Sequence, residues 1–160
     1  MNVYFFDELI SCFDVSHKAE LMWFQNEKDK LISWKDIPNR NLAKNPKGIY
    51  CPSGKDYCLA LKNILDSQYA DDESLIYQTK SGGFYFEYPP EENKSGMEYF
   101  TNKKLLLNSE KLIPVGFVYQ IKKKPNPLYR VLGCALVRYQ KSTNIFQLYG
   151  FDNNGCLRFL

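Results

Sequence analysis

The chain has very little of what metal centres and acid–base sites are made from. It holds one histidine, His17, in 160 residues, and its five cysteines (Cys12, Cys51, Cys58, Cys134, Cys156) are odd in number and far apart. With no C-x-x-C pair and no second histidine, neither a zinc module nor a disulfide framework is expected, and no metal or cofactor is assigned. A lone histidine in a polar turn reads as surface or as a satisfied partner, not as a catalytic base. No phosphate-binding loop is present: Gly82-Gly83 is not followed by Lys and Ser or Thr, so it reads as hairpin geometry. Long apolar runs are also missing, and the start, Met1-Asn-Val-Tyr-Phe-Phe-Asp-Glu, has no basic leader. Neither a signal peptide nor a membrane span is expected, and the cytoplasm is the default location.

What is present is aromatic and basic. Twelve Tyr and eleven Phe give an aromatic content of 16%, which favours strands with half-buried faces over a helical bundle. At 160 residues and 18.7 kDa, with no repeat and no internal boundary, residues 1–160 are expected to form a single domain. The net charge of +3 is modest but unevenly spread. Residues 111–160 carry eight basic side chains against one acid, Asp152, while Asp66, Asp71, Asp72 and Glu73 cluster without a base. That separation fits a polyanion-binding face with an acidic back.

Along the chain, Phe5, Phe6, Leu9, Ile10 and Phe13 fall at helical spacing. Residues 21–25 and 31–34 read as two strands around a polar turn, with a continued helix as the alternative. Ile49-Tyr-Cys51 reads as a short strand, and residues 55–65 as a helix burying Tyr57, Cys58, Leu61, Ile64 and Leu65. Residues 75–80 and 84–88 are expected to pair around Ser81-Gly-Gly83, and residues 89–96 to form an exposed loop. Residues 101–110 fit either a helix turn or a strand edge. Residues 115–122, 129–139 and 145–151 form a three-strand meander. The fold class is therefore β-rich α+β with flanking short helices.

The segment from Lys35 to Gly54 carries the functional signal. Lys35, Asn39, Arg40, Asn41, Lys44, Asn45 and Lys47 make a basic, asparagine-rich stretch leading into Gly48-Ile-Tyr-Cys-Pro-Ser-Gly54. Asn and Arg can pair with adenine and guanine edges, whereas lysines position phosphates, so the expected partner is double-stranded DNA. A nuclease core of the PD-(D/E)xK kind could be drawn from Asp72, Glu92 and Lys94. That chemistry needs its carboxylate and lysine on a rigid strand, and Pro89-Pro90 puts Glu92 and Lys94 in a loop. The domain itself is not expected to be an enzyme.

Gly48-Ile-Tyr-Cys-Pro-Ser-Gly54, behind its basic segment, resembles the B3-like DNA-recognition domains of bacterial restriction endonucleases. Residues 99–105 (Tyr-Phe-Thr-Asn-Lys-Lys-Leu), 114–118 and 129–137 are similar to domains beside nuclease or McrB-type motor modules, including the N-terminal domain of LlaJI-type McrB-like subunits. The resemblance implies an open pseudobarrel with two major-groove arms, and a motor or nuclease module of the same phage-defence system as partner. Carried onto this chain, one arm is residues 35–47. The other is residues 88–104, with Asn93, Lys94, Asn102, Lys103 and Lys104 as contacts. A second resemblance competes: Tyr69-Ala-Asp-Asp72, Tyr77 and Ser81-Gly-Gly83 look like the SRA domains that flip a modified cytosine. It implies that Tyr69 and Tyr77 stack the base while Asp72 accepts from its amino group. A PUA-like RNA binder is the remaining alternative.

Overall fold

Residues 131–137 are buried from end to end and form the middle of the longest strand, which organises everything else. The computed structural model describes residues 2–44, 48–64, 76–123 and 125–159. In chain order these give β1 (Asn2–Phe5), α1 (Phe6–Ile10), α2 (Val15–Asn26), β2 (Leu31–Ser33), α3 (Arg40–Lys44), β3 (Ile49–Tyr50) and β4 (Ala60–Asn63). There follow β5 (Tyr77–Gln78), β6 (Phe84–Tyr88), α4 (Phe100–Lys111), β7 (Val115–Lys122), β8 (Leu128–Gln140), β9 (Ile145–Gly150) and β10 (Cys156–Phe159).

The result is a β-rich α+β fold on one mixed eight-stranded sheet, ordered β3-β4-β7-β8-β9-β6-β5 with β2 added alongside β8. β4 and β7 run parallel, Ala60 opposite Gly116, and the other pairs are antiparallel. β1 and β10 form a separate two-stranded sheet. Among the described residues β3 pairs only with β4 and β5 only with β6, so the sheet is not closed into a barrel. No helix among them is long and apolar enough to cross a membrane.

Helices cover both faces. On one, Leu21 and Phe24 of α2 and Phe6 and Ile10 of α1 pack with Val118, Cys134 and Leu136. On the other, Leu105 of α4 packs with Phe84, Phe86, Phe117, Phe146 and Leu148. Gly116 lies directly beneath the Phe24 ring, where a methyl would collide, so glycine there lets α2 sit close on the sheet.

The meander and the 84–88 strand form as expected, and residues 80–82 make the turn into β6. Other elements differ. Residues 21–25 are helical, because Asp14 caps α2 by accepting from the His17 N–H at 2.8 Å and His17, Leu21 and Phe24 form its buried stripe. The expected helix over 55–65 is instead a loop followed by β4, whose flanking Cys58 and Leu59 are buried with it. A strand buried on both faces has no alternation, and its apolar residues can mimic a helical stripe. The helical spacing of residues 5–13 is shared between the end of β1 and the five-residue α1. Residues 101–110 belong to a full helix, α4, closed by Leu112 at φ 55°.

Candidate site: a tyrosine row beside a groove

Tyr149 packs, half-buried, against the core under α1 and α2, and aromatic rings continue from it to the edge strand β5. Strand register places Tyr77 opposite Tyr85, and Tyr85 opposite Tyr149, so three tyrosines stand in one row across β5, β6 and β9. The alternation that buries Phe84, Phe86 and Tyr88 on one face sends Tyr85 and Glu87 to the other. Tyr85 and Tyr149 rings lie 5.1 Å apart, tilted by 59°, and Tyr77 at the sheet edge is 76% exposed.

The phenols are oriented from the next row. Tyr85 Oη donates to Glu87 Oε1 at 3.4 Å and Tyr149 Oη to Gln147 Oε1 at 3.3 Å. Partial burial, then the Glu87 charge, raises the Tyr85 pKa above 10.0, so the phenol stays a neutral donor. The row borders a groove of about 780 Å³, whose other wall is β10 with Leu157 and Arg158. That wall is fixed by Asp152, which accepts from the N–H groups of Asn154 and Cys156, each at 2.9 Å. Phe84 also lines the groove, its ring seated over Gly150, where any side chain would collide with it.

Cations lie at or next to residues that line the groove. Arg158 lines it, and Arg130 reaches Gln78 of the edge strand at 3.0 Å and Asp29 at 3.4 Å. Lys28 Nζ lies 5.1 Å from the Phe84 ring centre and donates to the Leu132 carbonyl at 2.8 Å. Burial lowers its pKa from the ordinary lysine value. Arg138, exposed, stands in the Glu87–Gln147 row next to the tyrosines.

The sequence-predicted contacts are placed differently. In the first arm Asn39 caps α3, accepting from Leu42 N–H at 3.0 Å, and its amide donates to Glu20 at 2.7 Å. Arg40 stacks on Trp34 at 4.9 Å, and one guanidinium nitrogen serves the carbonyls of Trp34, Lys35 and Ile37 at 3.2 to 3.3 Å. Lys35 and Asn41 are exposed. In the second arm Asn102 is fully buried, accepting from Glu91 N–H at 2.8 Å and donating to the Glu91 and Gly96 carbonyls at 2.9 and 3.0 Å. Thr101 adds a hydrogen bond to the Glu91 carboxylate. Asn102 thus ties down loop 91–96 and is no surface contact. Asn93 accepts from Ser95 N–H at 3.0 Å, Lys94 is exposed, Lys103 pairs with Glu98 at 3.7 Å, and Lys104 is half-buried. The Lys44 side chain, Lys47, Tyr69 and Asp72 lie outside the described residues. Of the base-pocket residues, Tyr77 lines the groove.

Tyr85, Tyr149 and Arg158 were not singled out from sequence. Strand alternation alone turns Tyr85 and Tyr149 outward; their meeting with Tyr77 depends on pairings between distant segments. His17 is 5% exposed, stacked on Phe13 with ring centres 4.4 Å apart and meeting Tyr57 Oη at 3.2 Å, so it is an interior residue. Comparison with protein-family models, curated proteins and solved structures returns no match.

Proposed function

We propose that this domain is a non-catalytic DNA-recognition module that receives an unstacked base on the row Tyr77, Tyr85 and Tyr149. The observation that carries the reading is the in-register tyrosine row, exposed at Tyr77 and half-buried at Tyr85 and Tyr149, beside a groove of about 780 Å³. Aromatic rings stack on any base at about 1–3 kcal/mol per base, which offsets the few kcal/mol needed to extrude one from a duplex. Arg158 at the groove and Arg138 on the neighbouring row supply positive charge for the flanking phosphates. This favours the base-flipping reading over the two-arm one, since Asn39, Arg40 and Asn102 spend hydrogen bonds on their own fold. An open pseudobarrel is the corresponding architecture, supported by the unjoined edges β3 and β5. A place in a restriction system beside a motor or nuclease module is supported by the resemblance of residues 48–54, 99–105, 114–118 and 129–137.

The test is binding to a duplex carrying 2-aminopurine, with and without 5-methylcytosine, over a salt series. Affinity should fall steeply with salt as phosphate counterions are released, and fluorescence should rise as the base leaves the stack. The same salt-sensitive binding without a Tyr85-dependent rise would return the reading to major-groove arms. Preferential competition by single-stranded RNA would move it to an RNA platform. No binding at low salt would end it.

A further inference from the structure

Cys51 and Cys58 lie at opposite ends of the loop joining β3 to β4, and their Sγ atoms are 2.7 Å apart. A disulfide bond is about 2.05 Å long, so bonding needs only a small closing movement. The two thiols are set up differently. Cys58 is fully buried, its backbone held by Asn108, which accepts from its N–H at 2.7 Å and donates to its carbonyl at 2.9 Å. Its Sγ faces the Thr101 carbonyl at 3.8 Å. Cys51 is half-buried at the end of β3 and is the more accessible of the two.

We propose that Cys51 and Cys58 form a redox pair, oxidised by hydroperoxides to an intramolecular disulfide and restored by thiols. With hydrogen peroxide, the Cys51 sulfur attacks one oxygen and the O–O bond breaks, leaving a Cys51 sulfenic acid and one water. The Cys58 sulfur then attacks that sulfenic sulfur, the S–O bond breaks, and the leaving hydroxide takes the Cys58 proton as a second water. Two thiols are oxidised, one peroxide is reduced, and two waters form. Burial pushes the Cys58 thiol well above its ordinary pKa, which protects it until Cys51 becomes electrophilic. The bond would brace the loop that carries Lys55 to Asp14 at 3.0 Å and Tyr57 to His17 at 3.2 Å. None of these residues belongs to the tyrosine groove, so the pair is independent of the proposed function.

The experiment uses the full chain with Cys12→Ser, which removes an exposed thiol. After hydrogen peroxide treatment and alkylation, peptide mapping should give one species joining Cys51 to Cys58, about 2 Da lighter than the dithiol and reversed by dithiothreitol. In Cys58→Ser the Cys51 sulfenic acid should accumulate and be trapped by dimedone; in Cys51→Ser the residue at 58 should keep its thiol at the same dose. Alkylation of both thiols after treatment, or passage of Cys51 to sulfinic acid without a cross-link, overturns the proposal. If Cys58→Ser does not fold, the map of the protein with both cysteines decides.

Discussion

Segments 34–44 and 91–104 hold most of the asparagines and lysines that looked like readers of DNA, yet much of their polar chemistry points at their own backbone. The row Tyr77–Tyr85–Tyr149 does the reverse: its residue type suits a core, yet Tyr77 is exposed and Tyr85 and Tyr149 are only half-buried. Residue type names the bonds a side chain can make; local geometry decides whether the partner is the chain or something else. An asparagine at the third position of a helix beside a loop, as Asn102 is in α4, is captured by that loop's N–H and C=O groups. A tyrosine on an edge strand has no covering helix to bury it.

The largest effect that would sharpen the contrast is on stability. Asn102→Ala leaves the Glu91 N–H and the Glu91 and Gly96 carbonyls without their partner, and should cost roughly 2–4 kcal/mol. Urea unfolding measures it; a loss below about 0.5 kcal/mol, as for an ordinary surface change, would return Asn102 to the list of contacts. Next, Tyr77→Ala and Tyr85→Ala should each weaken binding by on the order of 1–3 kcal/mol, Tyr77→Ala with the unfolding midpoint nearly unchanged and Tyr85→Ala with a modest drop from its lost ring pair with Tyr149. Binding that survives both changes breaks the comparison on its functional side.

Acidity gives a third, smaller test. Burial lowers the His17 pKa from 6.5, with Asp14 partly opposing this and Lys55 adding to it. The unfolded chain therefore binds a proton that the folded chain refuses, so this contribution is complete above about pH 6.5 and declines as pH falls toward the folded value. His17→Gln should flatten that decline in a urea series against pH; an unchanged slope would place the titration elsewhere. The smallest effect is expected for Arg40→Ala, about 1 kcal/mol of stability from lost stacking on Trp34 and lost carbonyl contacts. Specific and random DNA binding should change by the same factor, and a selective loss at one base pair would restore the first arm as a reader.

Much of the sheet was legible because its signals are local. Phe84, Phe86 and Tyr88 alternate with Tyr85 and Glu87, and Lys141 to Asn144 mark a turn, so β6, β8 and β9 follow from neighbours in sequence. Residues 58–62 are buried on both faces and carry no period, which hid β4. In α2 the apolar run Leu21-Met-Trp-Phe obscured the stripe begun by His17, although Asp14 was a readable cap. Of the site, Tyr77 was anticipated. Its two companions, Tyr85 and Tyr149, come from β6 and β9, joined by a register that no local pattern contains.

The small sheet formed by β1 and β10 has a kinetic consequence. Asn2 pairs with Phe159 and Phe5 with Cys156, a separation spanning nearly the whole chain, so the loop-closure entropy opposing this contact is large and its formation is expected late in folding. Two-stranded ribbons hold only marginally without support, and this one provides the Leu157 and Arg158 wall of the groove. This wall of the groove is thus expected to form late and to open early. Its amide hydrogens should exchange through local opening well before those of β7 and β8, so the groove can widen without unfolding the sheet beneath it.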